Sequence, residues 1–552
     1  MAFKTKLLYN SKNNVLSGET ETVHLHNVGN MILHAFKSEP DFIGQVDAKT
    51  GEKITFQQMR ENSVKCALWL QNEGIGYQDK ITICTCNQMD AYVPFLASLF
   101  IGSIVNPWDA RYFQNFVRVM YFLSEFDPDV IFIDDNNYEK LQQALDCLNI
   151  NDKICSPKII TFGKIDNVIS LESILNIDID KSKIMKFSCK VRNTIDVVGT
   201  MFSSGATSYP GTSSLRYFAF TFPSNQCIPV MSFGDVGLWY EPLCWTYSLL
   251  LIVRSIISFV TVIKSSEFSE ENLYKTIDKY KVTWVFLTNK AGNQLLRVDS
   301  LAKYDLSSLK ELIFDTTVTH SDIDENFIKQ LSHVSFVRVY SVSTTHIIIN
   351  YYRRNYKTGC RSYLAKNIQL MILDMKTQGA VNPKKLGEIW YKLECLWCTH
   401  KTCEIPSCEN YRAKRSIDMK YCAPITSTWH CTGNYGFYET TNNLLFVVDK
   451  IKNIIKYKTY LISAAQIECV LLKHPAVSEV VVRGVSHPTD IQHPVAYIKK
   501  KIGIKVTEEE LNQYVIKDLP SSYKLQGGIF FRNKMPYLPN GNIDRMLVQL
   551  DS

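Results

Sequence analysis

Glycine is scarce. There are 24 in 552 residues, about 4.3%, against a usual ~7%. Loops that need φ > 0 or a close backbone approach should be correspondingly few. The chain has no internal repeat and no low-complexity stretch, and Met1 to Asn14 holds no apolar run of signal-peptide length. Neither sign of charge dominates. Lys plus Arg is 61 and Asp plus Glu is 54, a net +7. Spread over this length, that excess gives no reason to expect a nucleic-acid partner. Hydrophobic residues make up 46% and charged residues 21%, which excludes disorder as the main state. The length exceeds one ordinary domain, so two or more are expected.

The sixteen cysteines follow no repeating spacing. In a long chain without a leader they read as free thiols in a reducing compartment. One cluster resembles a metal site in composition: Cys395, Cys398, His400, Cys403, Cys408, Cys422, His430 and Cys431. It contains a single CxxC pair and no second pair at zinc-ribbon spacing, so no metal ligand is assigned. Leu243 to Ile263 is strongly apolar, but Arg254 sits in its middle. A charge there costs ~2.5–3.5 kcal/mol at the bilayer centre. The expected reading is a buried helix running into a buried strand, Ile256 to Ile263, and no transmembrane segment.

Helix and strand signals alternate at the start of the chain. Thr55-Phe-Gln-Gln58 forms a capping-box pattern before the periodic run Met59 to Leu70. Strands are expected at Ile81 to Cys86, Val130 to Ile133 and Lys158 to Phe162, with helices at Ala91 to Ile101 and Tyr138 to Leu148. This grammar predicts a layered α/β fold. The last hundred or so residues repeat it on a smaller scale. Strands are expected at Leu444 to Val448, Ser478 to Val485, Val495 to Lys499 and Gly528 to Arg532. Ser463 and Thr507 cap two helices. We therefore expect a large α/β unit over 1–448, a junction at 449–452 and a small α/β unit over 453–552.

Three segments have the residues for chemistry. Thr200 to Thr212 is rich in hydroxyls and small residues, which lets backbone N–H groups approach a phosphate. Trp429 to Tyr438 leads into the basic run Leu444 to Lys458. Pro539-Asn-Gly-Asn-Ile-Asp-Arg545 lies near the end. Alone, each also reads as a turn or a solvated basic face.

In this order they resemble the adenylate-forming superfamily of acyl-coenzyme A synthetases and beetle luciferases. Ser203-Ser-Gly-Ala-Thr207 looks like the phosphate loop SSGTT. Tyr340-Ser-Val-Ser-Thr344 stands in the place of YGxTE, and Gly387-Glu388-Ile389 matches GEI. Tyr304 to Glu311 matches the stretch before the adenine-contacting loop. Thr432-Gly433-Asn434 stands for TGD, Val448-Asp449-Lys450 for VDR and Ile455 to Thr459 for IKYKG. His474-Pro475 and Gly484-Val485 follow as expected, and Pro539 to Arg545 stands for PxGKIDR. The resemblance covers nearly the whole chain.

The resemblance implies an AMP-forming acid–coenzyme A ligase that uses ATP, Mg²⁺ and coenzyme A on a small carboxylic acid. It implies nucleotide contacts from Ser203, Ser204, Gly205, Thr207, Tyr340, Asn434 and Lys450, a hinge at Asp449 to Lys452, and Lys456 on the thioester-forming face. Charged groups are substituted at several matched positions. The adenylation Lys is Asn542, the Mg²⁺-holding Glu is Thr344, the ribose-binding Asp is Asn434 and the hinge Arg is Lys450. Pro210-Gly-Thr replaces PKG, and Asp315-Thr-Thr-Val318 replaces GGAP, which puts a carboxylate near the expected adenine. The aromatic-His stretch is expected near Trp239-Tyr240-Glu241, without its His. A weakened ligase is therefore expected. The alternative is a non-catalytic relative that binds an acyl ligand or a protein partner, and a luciferase-like oxygenase would need the same adenylate. The default address is cytoplasmic. A peroxisomal address follows only by family analogy, because Gln549-Leu-Asp-Ser552 does not fit a Ser-Lys-Leu-type signal.

Overall fold

The computed structural model describes the chain apart from residues 1–7, 11–13, 24–26, 87–88, 150–155, 190, 192–194, 203–209, 266–267, 289–290, 293–294, 296–302, 316–324, 343–346, 356–358, 395, 398–428, 440–443, 538–542, 546 and 550–552. Ser203, Ser204, Gly205, Thr207, Thr344 and Asn542 lie outside the described residues, as do Thr316 to Val318 and most of the Cys-rich cluster.

Two large sheets build the first part. One has the strands Ile169–Ser170, Lys158–Thr161, Val130–Ile133, Lys80–Cys84, Ile104–Trp108, Val197–Phe202 and Thr212–Arg216 in that spatial order. All its neighbours pair in parallel except the last two. Val130–Ile133 is buried at every residue, because a parallel strand covered on both faces needs no polar side. The second sheet runs Gly359–Leu364, Ile347–Asn355, Ser335–Val342, Glu311–Asp315, Trp284–Thr288, Val236–Trp239, Thr261–Lys264, Ile43–Asp47 and Lys53–Thr55. Its central five strands are parallel. Helix Tyr92–Ile101 is buried at every position, and one core cluster joins its side chains to residues of both sheets. A helix apolar all round demands such a setting.

The capping box forms as expected. Thr55 accepts from the Gln58 N–H, Gln58 reaches back to the Thr55 N–H, and the helix spans Phe56–Asn72. The apolar run near Arg254 differs from expectation. Its helix, Thr246–Ile257, extends through Ile256, and the strand is only Thr261–Lys264. Arg254 is buried but donates to the carbonyls of Gln226, Ile228 and Pro229. Three carbonyl acceptors satisfy the charge that made a membrane span costly. Among the described residues, no helix is long and apolar enough to cross a membrane.

An antiparallel sheet follows, including Ile368–Leu373, Gly387–Leu393, His430–Glu439 and Leu444–Lys450. The small C-terminal sheet pairs Ile454–Tyr457, Tyr460–Ser463, Val477–His487, Ile491–Lys500 and Ile529–Arg532. It has its own apolar core, to which Ile462, Ile467, Leu471, Ile498 and Leu511 contribute. Nine described cysteines are free, Cys66, Cys84 and Cys189 among them buried.

Candidate active site

Parallel strands place their carboxyl ends along one edge, and ligands of open α/β sheets bind outside that edge. Here the edge carries Trp239, Lys264, Thr288, Asp315 and Tyr340. Tyr340 comes from Ser335–Val342 and is buried. Its hydroxyl accepts a 2.7 Å hydrogen bond from Asn434 Nδ2, 94 residues further along the chain. Burial pushes the Tyr340 phenol up to about 12, against the hydrogen bonds from Thr432 and Asn434. Asn434 Nδ2 also lies 3.2 Å from the Thr432 carbonyl, which accepts from it. Between them Gly433 has φ +67, a conformation that favours glycine, and it lets the strand turn Asn434 toward Tyr340. Both Asn434 donor contacts are thus to the protein. The amide offers one acceptor oxygen to a ligand where a carboxylate would offer two.

Asp315 ends its strand beside an aromatic group. Trp245 Nε1 donates to Asp315 Oδ2 at 3.3 Å. Phe286 packs against Trp245 and Tyr247 with centroids 5.1 and 4.6 Å away. In the expected aromatic stretch, Trp239 stacks on Trp284, and Tyr240 packs edge-on to Phe268. Burial raises the Asp315 carboxyl from 3.8 to about 6, Glu241 adds to the rise, and Trp245 and Lys450 oppose it. Burial also lowers the Lys450 amine, as do Lys452 and Arg545 nearby, while Asp449 and Asp315 pull it the other way.

A protein whose fold favours a protonated Asp315 is most stable below the unfolded value near 3.8, and that stability is lost as pH rises through about 6. At ~1.4 kcal/mol per pH unit, discounted because the side chain partly reaches solvent, the charged form costs on the order of 2 kcal/mol. Asp315→Asn keeps an acceptor for Trp245. It is expected to gain about that much stability at pH 7.5 and almost none at pH 4. Urea unfolding of both proteins at the two pH values checks this, and an equal difference at both would contradict it.

The chain around residues 449–452 is held through Asp449, which is buried. One carboxylate oxygen accepts from the Lys450 N–H and Asn453 Nδ2. The other accepts from Ser463 Oγ and the Ala465 N–H, both at 2.8 Å. Lys452 lies in the short 3₁₀ turn Ile451–Asn453, and burial lowers its amine. Lys456 is exposed on Ile454–Tyr457, and its backbone N–H donates to Gln492 Oε1. The structure thus brings Tyr340, Asn434, Asp315 and Lys450 to one edge and leaves Lys456 on the small sheet.

One residue at this edge escaped the sequence analysis. Lys264 is buried, its Nζ lies 4.7 Å from the Trp239 ring centroid, and burial lowers its amine to about 7. It lines a cavity of about 590 Å³ with Lys49, Lys275 and Lys279. A lysine closing a strand reads as an ordinary terminus, so no local signal marks it. A larger cavity, about 770 Å³, is lined by Asp235, Thr283, Lys310 and Glu311. It lies at the amino ends of the same strands, away from Tyr340 and Asp315.

Comparison with known proteins identifies the family. The sequence profile of the AMP-binding enzyme family matches residues 33–396, and that of the AMP-binding enzyme C-terminal domain matches residues 466–542. A luciferin 4-monooxygenase of Nipponoluciola cruciata is 25% identical over 516 residues, covering 91% of this chain and 90% of its own. A 4-coumarate–CoA ligase of Humulus lupulus is 24% identical over 536 residues, covering 94% and 92%. The o-succinylbenzoate coenzyme A synthetase of Bacillus subtilis, solved in complex with ATP and magnesium ion, superposes with a TM-score of 0.72 at 17% identity, over 95% of this chain and 99% of that one. With both profiles matched in chain order, this chain belongs to the AMP-binding, adenylate-forming enzyme family.

Proposed function

We propose that this chain is an acid–coenzyme A ligase with a weakened adenylation half-reaction. In that reaction a carboxylate oxygen bonds to the α-phosphorus of ATP, and the bond to pyrophosphate breaks. The thiol sulfur then bonds to the acyl carbon, the bond to AMP breaks, and the thiol proton passes to solvent. Positioning and charge stabilisation are what such a site must supply. The observation that carries the reading is the Tyr340–Asn434 pair, which keeps the place of the ribose contact but with an amide. The basic cavity around Lys264 suits the phosphates of coenzyme A, and exposed Lys456 is the candidate for the thioester-forming face. Asp449 and Lys452 are the candidate hinge, within the division 1–448, 449–452 and 453–552.

The donor set fits a nucleotide in part and Mg²⁺ poorly. Asp47 ends the strand beside Lys264, and further along the edge lie Asp315 and Glu241. The last two accept from Trp245 and Thr288 respectively. No step is therefore routed through a metal.

The test is AMP release by the purified chain with ATP, Mg²⁺, coenzyme A and a panel of short to long acids. Acid-dependent AMP is expected at rates below the ordinary ~1–10³ s⁻¹. Silence across the panel would remove the ligase reading. Asn434→Asp should restore two acceptors and tighten AMP binding by ~10-fold or more, since a hydrogen bond to a charged group contributes ~1.5–3 kcal/mol. Calorimetric titration with AMP reads this directly, and unchanged affinity would separate Asn434 from the ribose.

A second reading is a relative that binds an acyl ligand or a protein partner without adenylation. The partly buried Asp315 carboxylate favours it, because negative charge at this edge opposes an anionic nucleotide. Turnover in the ordinary range would eliminate it. A luciferase-like monooxygenase would need the same adenylate and meets the same obstacles.

A further inference from the structure

The turn between the two long strands of the C-terminal sheet gathers three metal-ligating side chains. Val477–His487 ends on His487, Ile491–Lys500 follows, and Asp490 and His493 flank its start. One nitrogen from each imidazole and one Asp490 oxygen lie within 4.8 Å of one another. His493 Nε2 is 2.8 Å and His487 Nδ1 is 4.0 Å from Asp490 Oδ2. The rings stack with centroids 3.7 Å apart at 15°. We propose that His487, Asp490 and His493 form a binding site for a first-row transition dication such as Zn²⁺, Co²⁺ or Ni²⁺.

The chemistry fits on three counts. Two imidazoles and one carboxylate are the donor set these ions take, with further positions open to water. With metal–ligand bonds of ~2.0–2.1 Å, neighbouring tetrahedral ligand atoms sit ~3.3 Å apart. The observed 2.8 and 4.0 Å bracket that spacing, so side-chain shifts under ~1 Å would close the site. The Asp490 N–H donates to His487 Nδ1 at 3.4 Å, a long hydrogen bond that a dication at that nitrogen would replace. Finally, Ile491 has φ +70, an outlying conformation for a β-branched residue. A turn that holds such a residue is fixed by its surroundings, and here it keeps all three side chains together.

The bland alternative is an Asp490–His493 ion pair. It accounts for His493, and the Asp490 N–H and Thr489 Oγ1 engage His487 Nδ1, but neither explains two imidazoles stacked at 3.7 Å over one carboxylate. Lys458 is the cation facing the site. Its Nζ is 3.9 Å from Asp490 Oδ1, the oxygen that does not face the rings. The turn also borders the strand of Lys456. Tyr457 pairs with Ile491, its ring meets His493 edge-on at 5.7 Å, and the Lys458 N–H donates to the Asp490 carbonyl. An ion held here would stiffen the hairpin that carries Lys456.

The test uses the full chain, stripped with chelator and titrated with Co²⁺ alone. Visible d–d absorption reports coordination, and thiolate-to-cobalt charge transfer reports cysteine ligands. One equivalent without the thiolate band is expected, weakened at least ~100-fold by His487→Asn or His493→Asn. Both positions lie at a partly exposed turn, and unchanged urea midpoints will show that the variants fold. Binding that survives the double variant, or that carries the thiolate band, overturns the proposal. No binding to the unmodified chain overturns it as well.

Discussion

Asp449→Ala is expected to lower the stability of the protein by ~3–5 kcal/mol, the loss that follows removal of one partner from a buried charged network. The carboxylate accepts four hydrogen bonds, from the Lys450 and Ala465 N–H groups, Asn453 Nδ2 and Ser463 Oγ. These come from both sides of the turn Ile451–Asn453, so one side chain joins the end of the antiparallel sheet to the first helix of the small unit. Each bond to a charged group contributes ~1.5–3 kcal/mol, and four sharing one acceptor group do not add. Asp449→Asn keeps one acceptor oxygen and should lose less. Urea unfolding measures the total. Hydrogen exchange at the Lys450 and Ala465 amides measures the local part, and both should exchange faster in the Ala variant. A loss below ~1 kcal/mol, the size of one ordinary hydrogen bond, would mean that the junction is held by other contacts.

Asn542→Lys is expected to raise acid-dependent AMP release by ~10²–10³-fold, the factor that one well-placed donor to a developing charge contributes. Asn542 lies outside the described residues, but the chain on either side of it is held. Tyr537 and Ile543 form an antiparallel bridge across the segment. The Asp544 N–H donates to the Pro536 carbonyl at 2.8 Å, and Arg545 pairs with partly buried Glu468 at 2.7 Å. A silent variant that still binds AMP would show that the losses at Asn434, Thr344 and Pro210-Gly-Thr act together with Asn542. The non-catalytic reading would then stand.

The parts of the fold legible in the sequence were those set by neighbours along the chain. The Thr55–Gln58 capping box, the all-apolar strand Val130–Ile133 and the caps Ser463 and Thr507 depend on residues within a few positions. Motif order was legible too, because the resemblance spans the chain. The run from Leu243 was read less well. Its apolar residues suit a buried helix and a buried strand equally, and only packing placed the boundary at Ile257.

The sequence by itself determined the α/β class and the family, and through the resemblance it points to substitutions at Asn542, Thr344, Asn434 and Lys450. Those are identities at positions, and a one-dimensional reading suffices for them. Only the tertiary structure decided what those residues meet. It joined Asn434 to Tyr340 across 94 positions, set Asp315 against Trp245, buried Lys264 and stacked His487 on His493. The physical reason is common to all four. Hydrogen bonding, desolvation and ligand geometry depend on distance through space, and a chain folded into sheets brings together groups whose separation in sequence carries no trace of it.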